Sequence, residues 1–153
     1  MSRIALPATF RFALLNATGI SISTAPTGLP TITGERVRFD PVGALSYEAT
    51  AFTFFSTGNV GSIGNNSYVT GSTWSNTLSA WLGGDFLVSA FASGGASGAL
   101  SVFLELSPDN GTTWPTPASA AGTGGGIIVA VIDFGSSTTV STASTTRRRV
   151  FEL

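Results

Sequence analysis

The sequence predicts an all-β chain: a single β-sandwich, jelly-roll-like, with long Gly/Ser/Thr-rich loops and an extended arm. Three observations predict it. Short runs that alternate or are wholly apolar recur at strand length along the chain, while no apolar pattern with a 3.6-residue period lasts beyond two turns. The helix formers Lys and Gln are missing and Glu is rare. The apolar runs are separated by Gly, Ser, Thr, Pro and Asn, the residues of turns and loops. At 153 residues, 1–153 is expected to form one domain with a modest core. A hydrophobic content of 42% and a mean hydropathy of +0.35 separate the chain from disordered sequences, which are charge-rich and apolar-poor.

Taken in order, Phe10 to Asn16 and Gly19 to Ser23 read as two short strands. Thr24 to Gly34 contains Pro26 and Pro30 and is expected to be the extended arm, followed by Glu35-Arg36-Val37-Arg38 as a polar strand face. Ser46 to Phe55 alternates as one strand, with Tyr47, Ala49 and Ala51 on one side and Glu48, Thr50, Phe52 and Phe54 on the other. Ser56 to Ser72 holds Gly58, Gly61, Gly64, Gly71 and the pair Asn65-Asn66, the signature of a long loop. Phe86 to Ala92 is a further strand. In Leu100 to Leu106, Leu100, Val102, Leu104 and Leu106 share a face, and Ser101, Phe103 and Glu105 share the other. Ile127 to Phe134 is almost wholly apolar, as in a central strand covered on both faces. Val150 to Leu153 is expected to close the sheet. Thr116 to Gly126 and Gly135 to Thr146 repeat the loop composition, and loops of this length tend to be functional or disordered, or else are ordered by neighbouring subunits.

Absences narrow the chemistry. There is no Cys, which excludes disulfides and thiolate catalysis, and no His, the commonest general base and transition-metal ligand. All seven cationic side chains are Arg, which removes Schiff-base chemistry and a P-loop lysine. A net charge of -1 argues against a broad grip on nucleic acid. Met1 to Phe10 carries too short an apolar run for a signal peptide, and no stretch approaches the roughly 20 apolar residues of a membrane span. The expectation is a protein made in a cytoplasm with no membrane partner. Few charges and near-zero net charge suit a subunit of an assembly better than a solitary monomer.

The most specific local pattern is Ser107-Pro108-Asp109-Asn110-Gly111-Thr112-Thr113-Trp114, of the form S-x-D-x-G-x-T-W. The Asp side chain is expected to bond backbone amides two residues on, Gly111 to supply a positive φ, and Trp114 to fold back as an apolar anchor. The structural turn is therefore assigned to Ser107, Asp109, Gly111, Thr113 and Trp114. This pattern resembles the Asp box of sialidases and other β-propellers, where the box is structural and not catalytic. A single box is too few for a propeller. The order FLVSAFAS, Gly/Ser loop, LSVFLELSPDNGTTWP, Gly-rich loop, IIVAVIDF, RRRVFEL also resembles small β-sandwich proteins of tailed bacteriophage particles. That likeness covers Phe86 to Leu153, with Asn110 where those proteins often carry Gly.

The resemblance implies a non-enzymatic virion protein, a capsid cement or decoration protein that binds across capsomers and stabilises the head. Its implied partners are the major capsid protein or other virion subunits, and its implied state is a homo-oligomer, a trimer at threefold positions. The same resemblance accommodates a tail, neck or baseplate component. A reading of another class is a carbohydrate- or receptor-binding module, with Trp74 and Trp81 as stacking surfaces. Arg147, Arg148 and Arg149 are candidate intersubunit contacts, though strand alternation sends Arg148 to the face opposite its neighbours. The carboxylates Glu35, Asp40, Glu48, Asp85, Glu105, Asp109, Asp133 and Glu152 form no recognisable catalytic pair or calcium loop. No catalytic residue, cofactor or metal ligand is assigned.

Overall fold

The run TFRFALLNA forms strand β1 (Thr9–Ala17), on which the first sheet is built. A computed structural model of the chain describes residues 8–23, 30–47, 52–55, 62–76, 83–90, 96–117 and 124–134, and every regular element among these is a strand. The others are β2 (Ile22–Ser23), β3 (Thr31–Phe39), β4 (Leu45–Tyr47), β5 (Phe52–Phe55), β6 (Ser62–Ile63), β7 (Tyr68–Thr70), β8 (Trp74–Ser75), β9 (Gly83–Ser89), β10 (Ala99–Ser107) and β11 (Ile127–Asp133). The chain is all-β in the part described. No helix long and apolar enough to cross a membrane occurs among these residues.

Two strands of nine residues organise two sheets. In the first, β1 pairs antiparallel with β10 along its whole length, from Thr9 opposite Ser107 to Ala17 opposite Ala99. β7 and β8 pair with the other edge of β1, and β11 pairs with the outer edge of β10. In the second sheet β3 is central, with β9 along one edge and β4 and β5 along the other. The pair β2–β6 brings Ile22 opposite Ile63.

Alternation makes Phe10, Phe12 and Leu14 of β1 and Leu100, Val102 and Leu104 of β10 point the same way. They join Ile32 of β3, Phe55 of β5, Phe86 and Val88 of β9, and Ile132 of β11 in one buried cluster. The rings of Phe12 and Phe86, from the two larger sheets, meet edge to face with centroids 4.9 Å apart.

A polar knot fastens the far end of β1. Asn16 is fully buried, and its Nδ2 reaches the carbonyls of Ile20 (2.8 Å), Ile63 (2.9 Å) and Gly64 (3.1 Å). Its Oδ1 accepts from the amide and hydroxyl of Thr18. Beside it Gly98, at φ +112°, lies so close to β1 that a Cβ there would stand 2.5 Å from the Ala17 carbonyl oxygen.

Several expected boundaries are corrected. Of the expected arm, 24–29 lies outside the described residues, but from Thr31 onward the chain is inside β3, with Ile32 fully buried. Pro26 and Pro30 gave that segment its loop character, whereas the β-branched run Thr31-Ile32-Thr33 suits a pleated surface. Ser46–Phe55 is not one strand: β4 and β5 pair with separate stretches of β3. Within the expected loop at 56–72, β6 and β7 are strands. Only the end of Gly19–Ser23 is extended as β2, and β9 starts at Gly83, ahead of the expected Phe86.

Ile127–Phe134 is not central. Among the described residues β11 is the edge of its sheet, with Ile128 and Val131 exposed. Its apolar character comes from packing one face on the core and continuing an apolar row on the other. Val150–Leu153 and Arg147–Arg149 lie outside the described residues.

Asn16→Ala is expected to lower unfolding free energy by about 3 kcal/mol, since it strands several buried polar groups at once. Asn16→Asp should be at least as damaging, because it loses the donor and puts charge beside three carbonyls. Urea denaturation of the two variants against the parent checks both.

Candidate functional site

The outer face of the first sheet carries an ion pair. The β1–β10 register sets Arg11 directly opposite Glu105, on the face turned away from Phe12 and Leu104. Arg11 Nε donates to Glu105 Oε2 at 2.5 Å. Tyr68, opposite Leu15 in the β1–β7 register, donates its hydroxyl to Glu105 Oε1. Its ring lies against Phe103 with centroids 5.7 Å apart. Phe103, Ala13 and Leu15 are themselves buried and form a second, smaller apolar cluster with Tyr68. Glu105 is thereby 0% exposed on a face where a strand side chain would ordinarily meet water. Burial, followed by the hydrogen bond and the negative charge of Glu105, pushes the Tyr68 hydroxyl well above the ordinary tyrosine range, so it stays a donor.

The turn after β10 completes the enclosure. Ser107 Oγ donates to Asp109 Oδ1 (2.9 Å) and accepts the Gly111 amide (2.7 Å). Asp109 Oδ1 accepts the Thr113 amide at 2.6 Å, and its other oxygen accepts the Thr113 hydroxyl. The bonded amide is four residues on, not the expected two. Asn110 and Gly111 both have positive φ, at 58° and 96°. Trp114 Nε1 donates to the Gly111 carbonyl (3.0 Å), which lays the indole over Arg11 with the guanidinium carbon 4.0 Å from the ring centroid. The turn also reaches back to β1, where Thr9 Oγ1 donates to Asn110 Oδ1 at 2.7 Å.

The carboxylates of this arrangement are engaged in structural bonds. Both oxygens of Glu105 are occupied, and those of Asp109 are bonded within the turn. Asp40, another expected carboxylate, accepts the amides of Val42 and Ala44 and closes the β3–β4 hairpin. Glu35 and Asp85 stand opposite each other in the β3–β9 register. Asp133 ends β11, and Glu48 and Glu152 fall outside the described residues. Among the described residues no three acidic side chains gather as a metal site would require. Trp74 packs half-buried against the core cluster, and Trp81 lies outside the described residues.

Sequence reasoning had singled out neither Arg11 nor Tyr68, and it gave Glu105 no role beyond its place on a strand face. The available signal was a lone cation in FRFALL and a lone anion in FLEL, each on the same face of a strand whose opposite face is apolar. What the described residues define is an all-β fold whose long antiparallel pair, β1 with β10, encloses an ion pair under a turn of Asp-box form. Comparison of the chain with protein-family models, with curated proteins and with solved structures gives no match.

Arg11→Met is expected to cost about 3–5 kcal/mol, because it leaves the Glu105 carboxylate buried without its cation. The double variant Arg11→Met, Glu105→Leu should recover most of that loss, measured as a double-mutant cycle in urea. A separate pH effect belongs to the turn. Bonds from the Thr113 hydroxyl, then the Thr113 amide, then Ser107 hold the Asp109 carboxyl at about 2, below its ordinary range. A depressed folded value stabilises above the unfolded value of about 3.9, and that contribution fades as pH falls toward about 2. Tryptophan fluorescence should therefore report the turn loosening over that window, and Asp109→Asn should remove the transition.

Proposed function

We propose that this chain is a non-enzymatic structural subunit of a tailed-phage particle, a β-sandwich serving as capsid cement or decoration protein. The observation that carries the reading is where large apolar side chains meet solvent. Val42 is 88% exposed at the tip of the β3–β4 hairpin, with Phe39 and Tyr47 exposed beside it. Ile128 and Val131 are exposed on the edge strand β11. Edge strands and hairpin tips with such residues are places where another chain pairs or packs. The sandwich reading is supported by the two larger sheets sharing one apolar cluster through side chains such as Phe12 and Phe86. The resemblance of Phe86 to Leu153 to virion sandwich proteins supplies the setting: a homotrimer at threefold positions, bound to the major capsid protein.

In this mechanism the subunit contributes no chemistry. It adds buried apolar area and backbone hydrogen bonds across capsomer junctions, and its residence time follows from how much of that area is covered. A tail, neck or baseplate ring uses the same surfaces with a different closure.

The purified protein is expected to be a trimer by light scattering coupled to size exclusion, and to bind capsids saturably. Ile128→Asp combined with Val131→Asp should leave the melting curve nearly unchanged and weaken self-association or capsid binding by at least about tenfold, ~1.4 kcal/mol. A larger ring moves the assignment to the neck or tail. A monomer that binds no virion component defeats the proposal.

A further inference from the structure

Asn110 is the sole asparagine in the sequence followed by glycine. In such a pair no side chain shields the amide nitrogen that follows the asparagine carboxamide, so that nitrogen can attack it. Here the two reacting groups are held by different anchors. The nucleophile, the Gly111 amide, donates to Ser107 Oγ at 2.7 Å. The electrophile, the Asn110 carboxamide, is drawn toward β1 by Thr9 Oγ1, also at 2.7 Å. Thr9 is buried and stands opposite Ser107 in the β1–β10 register, so both anchors sit on the best-paired strands of the molecule. Gly111 is half-buried. A Cβ on it would stand 3.6 Å from Thr9 Cγ2 and 3.9 Å from both Thr73 Cγ2 and Trp114 Cζ2. Its carbonyl is held by Trp114 Nε1.

We propose that Asn110-Gly111 is a self-modification site, kept unreactive in the folded turn by Ser107 and Thr9 and released when the turn opens. The Gly111 amide nitrogen gives its proton to solvent base and attacks Asn110 Cγ. The new N–Cγ bond forms, the Cγ–Nδ2 bond breaks, and ammonia leaves with a proton from solvent. One water then opens the cyclic imide. Cleavage of the N–Cγ bond yields aspartate, and cleavage of the bond to the main-chain carbonyl yields isoaspartate. No oxidant or cofactor is consumed.

The product acts on the site described above. Isoaspartate adds a carbon to the backbone between Asn110 and Gly111, which displaces the carbonyl that holds Trp114 over Arg11. Aspartate sets a second carboxylate beside Asp109. Either product loosens the enclosure of the Arg11–Glu105 pair, so the turn is a one-way chemical timer on that pair.

The test incubates the full chain at mildly alkaline pH and maps deamidated peptides by mass spectrometry, with isoaspartyl methyltransferase labelling as a second readout. Folded parent protein should convert slowly at Asn110. The urea-unfolded parent and Ser107→Ala should convert at least several-fold faster at the same residue, and Asn110→Gln should stay unmodified there. Equal rates for folded and unfolded parent would overturn the proposal. So would a folded Ser107→Ala, judged by circular dichroism, that converts no faster than the parent. If Ser107→Ala fails to fold, Thr9→Val and the folded-against-unfolded comparison decide in its place.

Discussion

Glu105 sits without solvent contact on the outer face of a sheet, and the geometry around it follows from the need to satisfy that charge. A buried carboxylate is costly unless every oxygen is engaged, and the attraction of its partner repays the desolvation only in good geometry. Here one oxygen takes Arg11, the other takes Tyr68, and Trp114 closes over the cation. Such a pair is weak evidence for net stability, but it is informative about register. A slip of β10 by one residue along β1 would turn Glu105 toward Phe12 and the main cluster, and Leu104 toward the outside. The apolar pattern already opposes that slip, and the ion pair opposes it again from the other face.

The consequence is a sheet with buried side chains on both faces. β10 buries Leu100, Val102 and Leu104 inward, and Phe103 and Glu105 outward. The outward row runs on through Ala13 of β1 to Ile128 of β11, which lies opposite Phe103 and is exposed. The covered part of that face belongs to the chain itself, through Tyr68 and the turn. The uncovered part is at the edge strand. The same division recurs at the β3–β4 hairpin, where Val37 is buried while Tyr47, opposite it in the register, and Phe39, two residues on, are not. Both surfaces lie where a further strand or a packed neighbour would complete a sheet, and the proposed role draws on them.

Much of the fold was legible because alternation is a local signal. Phe10 to Asn16 and Leu100 to Leu106 announced β1 and β10 within a residue or two, and the inward set Leu100, Val102 and Leu104 was readable from period two alone. Of β3, Glu35 to Arg38 was legible as a polar strand face, while its first residues were hidden by the prolines that precede them. β11 was misplaced because composition reports how apolar a strand is and does not report how many neighbours it has. The turn residues were legible as a pattern, but their purpose was not. That Trp114 stacks on Arg11 depends on β1 and β10 lying side by side, a pairing of residues about a hundred positions apart that no local motif encodes.

The turn also explains why a labile dipeptide stands at such a place. Two successive positions with positive φ, at 110 and 111, admit few residues: glycine without strain, and asparagine with modest strain. Glycine at both would give the same backbone and no reactive carboxamide. It would also give up the bond from Thr9 that ties the turn to β1. Asparagine at 110 keeps the shape and adds the tether, and the tether itself restrains the carboxamide. Stability of the enclosure and chemical protection of Asn110 thus rest on the same two hydroxyls, Thr9 and Ser107, so any event that loosens one loosens the other.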